Sequence, residues 1–157
     1  MKYKKLIQRL FNLKYCEDKE DRHPENNVLE HSIQAFNIAK KETEYGSILP
    51  ITALFHDIGK SIETLGHDKH SVDILKSFGY YNDDVFWLIK NHIRVIWFLN
   101  GEMSKLSKIK ELMYDRIMFA NLCHLKRIDN CARVKNKISK IDANEVNNIL
   151  EITNYNR

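Results

Sequence analysis

The chain has 157 residues, 43% of them apolar and 29% charged, with a formal net charge of +4. A chain this long fits one domain able to bury roughly 70% of its unfolded surface, and its apolar and charged shares are those expected of a soluble globular protein. The small positive excess favours approach of anions but does not by itself mark a nucleic-acid binder.

Three cysteines, Cys16, Cys123 and Cys131, form no C-x-x-C pair and cannot all be bridged to each other. That pattern fits a reducing, cytoplasmic setting. The start, Met1-Lys-Tyr-Lys-Lys, lacks the continuous apolar run of a signal peptide. No stretch reaches the ~20 apolar residues of a membrane span, so no membrane partner is expected. Two prolines and five glycines leave little material for β-turns. The expected fold is therefore all-α: one compact bundle of about six to seven helices, without linker or internal repeat.

The first helix is predicted at about 2–14, with Leu6, Ile7, Leu10 and Leu13 packing onto the domain; a basic amphipathic helix lying on a membrane is the lesser alternative. His23-Pro24-Glu25-Asn26 reads as a turn, with Asn26 or Asn27 as N-cap of a second helix near about 27–43 and Gly46 placed to stop it. A third helix is expected at about 49–58, a loop at about 59–66, and a fourth helix at about 67–78 ending at Gly79. The fifth is expected at about 82–99, stopping at Asn100-Gly101. A long sixth spans about 105–135, with a break allowed for, and a polar seventh closes the chain near about 142–152.

Adjacent His56 and Asp57 end the third helix, where Ile51, Leu54, Phe55 and Ile58 recur at helical spacing. An ionised carboxylate in such a place is costly unless a counter-charge accompanies it, and a metal ion is one such charge. Other residues of ligand type stand in similar settings. His31 shares a stripe with Val28, Ala35 and Ile38, and His92 lies among Val85, Leu88, Ile89, Ile93 and Ile96. Asp129 is the acid in the stripe Met118, Leu122, Leu125, and His67 opens the fourth helix with His70 one turn later. Each has a plain alternative: a hydrogen-bonded core histidine, a solvated surface histidine at His23, His67, His70 or His124, or an Asp129–Arg133 pair at i+4. Together they are satisfied most simply by one metal centre.

The order His31, His56-Asp57, Asp129 resembles the signature of the HD superfamily of metal-dependent phosphohydrolases. In more detail the chain resembles the HD domains attached to tRNA nucleotidyltransferases (CCA-adding enzymes). The similarity is carried by the opening segment His23-Pro-Glu-Asn-Asn-Val-Leu-Glu-His31-Ser, by Gly66-His67-Asp68, by Lys90-Asn91-His92 and by Asp129-Asn-Cys-Ala-Arg133. It covers about residues 23–135. No glycine-rich nucleotidyltransferase motif precedes it, so hydrolysis without CCA addition is expected.

The resemblance implies that His31, His56, Asp57 and Asp129 hold a first divalent ion and that His67 and His92 hold a second, with Asp57 bridging. Mixed imidazole and carboxylate ligands suit Mn, Fe, Co, Ni, Zn or Mg, and one or two ions are expected. It further implies attack of a metal-bound hydroxide on phosphorus, with Asp57 and Lys60 as the catalytic residues. Lys60 is expected over a phosphate oxygen, against the alternative of a solvated loop lysine. Arg133, Arg94, His70 and His23 are the remaining substrate-facing candidates, and Asp68 or His70 the candidates for proton relay. Phe86, Trp87, Trp97, Phe98, Tyr80 and Tyr81 offer stacking surfaces, although aromatics of the fifth helix are more often core. The implied substrate is a phosphoester of a nucleotide or RNA end, in the manner of a 2′,3′-cyclic phosphodiesterase or phosphatase. The alternatives are a single-metal (deoxy)nucleotide phosphatase and a noncatalytic HD module that binds nucleotide or RNA.

Overall fold

The computed structural model describes residues 1–16, 27–135 and 137–155. Among them are nine α-helices and no strand. They are α1 (Lys4–Phe11), α2 (Val28–Glu42), α3 (Leu49–Phe55), α4 (His67–Ser77), α5 (Asp83–Asn91), α6 (Arg94–Leu99), α7 (Leu106–Leu112), α8 (Arg116–Cys131) and α9 (Ala143–Thr153). Short 3-10 turns follow α1 at Asn12–Tyr15 and α3 at Ile58–Ser61. His23 and the turn residues Pro24 to Asn26 lie outside the described residues.

The all-α expectation holds, but nine helices replace the six or seven expected. Both extra breaks come from side chains that compete with the backbone. In the predicted 82–99 helix, the Asn91 side chain donates to the Trp87 carbonyl at 2.8 Å, and the His92 ring donates to the Ile89 carbonyl at 2.5 Å. Ile89 O is the acceptor that the Ile93 N–H needs for the helix to continue, so α5 ends and α6 restarts at Arg94. In the predicted 105–135 helix, the Asp115 carboxylate caps the N–H groups of Ile117 and Met118, at 2.9 and 3.0 Å. That capping starts α8 afresh after α7.

Helix α3 is the axis of the molecule, with every residue from Leu49 to Phe55 buried. Pro50 sits in its first turn, where a missing N–H costs nothing. It packs against α2, α5, α8 and α9. One apolar cluster joins Leu6, Leu10 and Leu13 of the N-terminal segment to Ile51, Leu54, Phe55 and Leu150. The leucines and Ile7 are at most 4% exposed, so this face belongs to the core rather than to a membrane surface. A second cluster, with Ala35, Ala53, Leu88, Leu122 and Leu125, fills the space between α2, α3, α5 and α8. No helix is long and apolar enough to cross a membrane among the described residues. Because α3 runs through the core, its C-terminal end delivers His56 and Asp57 to a buried point.

Candidate metal centre

Six side chains of ligand type converge there, each 8% exposed or less: His31, His56, Asp57, His67, His92 and Asp129. His31 comes from α2, His67 from the first residue of α4, and Asp129 from the last turn of α8. His92 and the His56-Asp57 pair follow directly on the ends of α5 and α3. Asp129 Oδ1 lies 2.8 Å from His31 Nε2 and 3.5 Å from His56 Nε2. Asp57 Oδ2 lies 3.5 Å from His56 Nε2, while its Oδ1 lies 3.0 Å from His67 Nε2 and 3.7 Å from His92 Nε2. The Nε2 atoms of His67 and His92 face each other at 3.1 Å.

The backbone fixes which nitrogen of each ring looks inward. His56, His67 and His92 each turn Nδ1 onto the carbonyl three residues earlier, Ala53, Thr64 and Ile89, at 2.8, 2.8 and 2.5 Å. His31 Nδ1 meets the Ala132 carbonyl, at the end of α8, at 3.0 Å. A carbonyl only accepts, so each Nδ1 carries a proton and each neutral ring presents a bare Nε2 lone pair to the centre. Lone pairs of His67 and His92 at 3.1 Å, with a carboxylate oxygen beside them, need a positive charge between them. A proton on His67 can supply it, since the Asp57 carboxylate outweighs burial and raises the pKa of that imidazole. A divalent cation supplies it better, and a set of imidazoles and carboxylates is chemically suited to one. His31, His56 and Asp129 form one group of donors within 4.8 Å of one another, and His56, Asp57 and His92 form another.

The electrostatics favour the ligand forms. Burial pushes the Asp57 carboxyl up, but His56, Lys60 and His67 outweigh it and hold it well below the usual carboxylate range. Burial likewise opposes ionisation of Asp129, and His31 and His56 overcome it. His92 is pushed down to about 3 by burial and by the neighbouring His56, so it is neutral in the folded protein.

Around the centre opens a cavity of about 830 Å³. Of the expected substrate-facing residues, Lys60, Arg94 and Arg133 line it; His70 does not, and stands 3.9 Å from Glu63 instead. Asp68 lines it as well. The Lys60 ammonium also rests 2.9 Å from Asp57 Oδ2, so it is both a wall of the cavity and the counter-charge of that acid. Arg133 Nη2 lies 3.8 Å from Asp129 Oδ2. Of the six aromatics considered for stacking, Trp97 alone lines this cavity. Tyr80 and Phe86 are core, and Phe98 packs edge-on against Phe119.

Sequence reasoning missed Lys126, whose ammonium lies 2.7 Å from Asp129 Oδ2 with its side chain 11% exposed. Its i,i+3 spacing to Asp129 is the only signal, and one such pair is common on any helix. The contact turns Oδ2 outward and leaves Oδ1 for the histidines. Lys126→Met, which keeps the stem and removes the charge, is expected to weaken metal affinity about tenfold, as loss of an outer hydrogen bond to a ligand does. Titration of the metal-free protein measures it; tighter binding would instead make Lys126 a competing cation.

No curated protein matches the chain. The family model for the HD domain matches residues 28–133, a span that holds all six converging side chains and runs to Arg133, and the chain belongs to the HD domain family.

Proposed function

We propose that the protein is a metal-dependent phosphohydrolase acting on a phosphoester of a nucleotide or RNA end, as the resemblance to the HD domains of CCA-adding enzymes implies. HD domains are typically metal-dependent hydrolases. The observation that carries the reading is the convergence of bare Nε2 lone pairs and two ionised carboxylates at the floor of a cavity with a basic wall. His31, His56, Asp57 and Asp129 would hold one ion, and His67 and His92 a second, with Asp57 shared between them. Bound there, divalent ions supply the Lewis acidity that makes water nucleophilic at neutral pH and draws charge off a phosphoryl oxygen.

The chain's own residues do the rest. Lys60 offers an ammonium at the cavity wall beside Asp57, where it can meet a non-bridging oxygen. Arg94, Arg133 and Lys90 line the same cavity and attract an anion. Asp68 lines it too, as the candidate to pass a proton to the leaving group. His56 belongs to both donor groups, which favours a second reading in which a single ion sits nearest that residue.

Elemental analysis of the purified protein, followed by a phosphoester panel with added divalent metals, tests both. Turnover of nucleotide or RNA-end phosphoesters that depends on added metal is the expected result. No turnover of any phosphoester at full metal loading would leave a noncatalytic module. His67→Ala combined with His92→Ala is expected to lower bound metal by about half, leaving the His31 group filled. An unchanged metal ratio would give these two histidines a structural role and favour the single-ion reading.

A further inference from the structure

Beside the cavity over the metal centre lies a second one of about 360 Å³, and the two share Arg94 and Trp97 as common walls. These residues stand one turn apart on α6, so they present one face. Glu102, Lys105 and Lys108 also line the second cavity, which gives it three cations against one acid when Arg94 is included. Neither Lys105 nor Lys108 forms an ion pair with any described residue. Arg94 is held by Asn91 Oδ1 at 2.9 Å and stands 3.6 Å from the largely exposed Glu111 carboxylate. An anion can therefore replace Glu111 at little desolvation cost.

The backbone at Trp97 closes a tight return at the end of α6. Its carbonyl accepts the N–H groups of Glu102 and Met103, at 2.8 and 3.2 Å. Gly101 makes that return possible with a φ of 72°, a conformation other residues rarely adopt. Trp97 is 49% exposed and lines both cavities, an aromatic side chain with charge on either side. Alternation of a basic pocket, an aromatic face and a second basic pocket is what a single strand of nucleic acid requires, with phosphates and bases taking turns along it.

We propose that the second cavity receives the next phosphodiester of a single-stranded oligonucleotide whose terminal phosphoester lies at the metal centre, with Trp97 stacking the base between. The inference rests on the phosphohydrolase reading and deepens it, since it makes the preferred substrate a strand end rather than a mononucleotide. Arg94, Lys105 and Lys108 hold the distal phosphate, and the first cavity takes the terminal nucleotide.

The test uses two readouts on the metal-loaded protein, wild type and the double variant Lys105→Ala, Lys108→Ala. Binding is read by fluorescence anisotropy of a 5′-labelled 2′-O-methyl trinucleotide ending in a 3′-phosphorothioate, which resists hydrolysis, against the matching mononucleotide. Hydrolysis is read as kcat/KM on a trinucleotide and a mononucleotide with the same 2′,3′-cyclic phosphate end. The expected result is a preference for the trinucleotide of about tenfold or more in both readouts, collapsing in the double variant. Its salt dependence should become shallower by about 0.7, the contribution of one single-strand phosphate. Equal binding of the two lengths, or a preference that survives loss of both lysines, would overturn the inference. Lysine-dependent strand binding without hydrolysis of either substrate would keep the subsite and discard the hydrolase reading. Mononucleotide hydrolysis with no length preference would do the reverse.

Discussion

Gly59→Ala is expected to cost about 3 kcal/mol of stability, the upper part of the range for overpacking, and to scatter the metal centre. The reason is space rather than backbone conformation. A Cβ on Gly59 would lie 2.0 Å from the His67 carbonyl oxygen and 2.6 Å from the Ser71 amide nitrogen. Both are backbone atoms, and no rotamer moves them aside. The 3-10 turn after α3 must therefore separate from the first turn of α4, the very contact that brings Asp57 to within 3.0 Å of His67. Ser71 ties the same two segments, accepting the Gly59 N–H at 2.8 Å and donating to the His56 carbonyl at 2.8 Å. For a chain of this size the expected loss lowers the melting temperature by roughly 6–12 °C, and bound metal should fall with it. Ser71→Ala separates the two causes, because it removes the hydrogen bonds without adding volume and should cost less. Native melting and full metal content in Gly59→Ala would show that the turn can yield, and the close approach would lose its role.

The stripes of α2, α5 and α8 were legible because apolar residues at helical spacing reveal which face is buried, and His31, His92 and Asp129 lie on those faces. Asn27 was one of the two named candidates for the α2 cap, and its side chain accepts the Glu30 N–H at 2.8 Å. The break between α5 and α6 lay deeper, whereas that between α7 and α8 was allowed for. Nothing in the run from Asp83 to Leu99 is a glycine or proline, and α5 ends because the His92 ring takes the Ile89 carbonyl. The break is therefore a consequence of aiming His92 Nε2 at the centre, which no propensity scale registers. Tyr80 was equally opaque: its hydroxyl finds Thr153 Oγ1 across the fold, 73 positions away in sequence. Partners that distant are set by tertiary packing. For the same reason the basic lining of the second cavity could not be read from residues 94–108, where lysines on short helices look like ordinary solvated charge.

Lys60→Ala is expected to lower turnover by roughly 10²-fold at saturating metal, if its ammonium offsets developing charge as an oxyanion donor does. The structure adds a consequence that the sequence did not contain. Lys60 Nζ is 2.9 Å from Asp57 Oδ2, and both side chains are at most 10% exposed, so the pair is a buried one. Removing one partner of such a pair leaves the Asp57 charge to His56 and His67, at a cost of up to about 3 kcal/mol. That cost should appear in the metal-free protein and shrink in the metal-loaded one, where a cation takes over the counter-charge. The pH dependence has a definite sign. Asp57 has its pKa held well below the usual carboxylate value by His56, Lys60 and His67 against the effect of burial, so its contribution to stability is complete above the unfolded pKa of about 3.9 and is lost as pH falls through the lower folded value. Without Lys60 the folded value moves up, and acid unfolding of the metal-free protein should begin at higher pH. Lys60→Arg is not expected to restore activity, since a planar guanidinium does not replace a compact ammonium in the same space. Thermal melts with and without metal, together with turnover on a single phosphoester, measure all of this. Full turnover in Lys60→Ala with a weakened metal-free fold would make Lys60 a counter-charge alone, whereas an unchanged fold with a 10²-fold loss would place its whole effect on the phosphate.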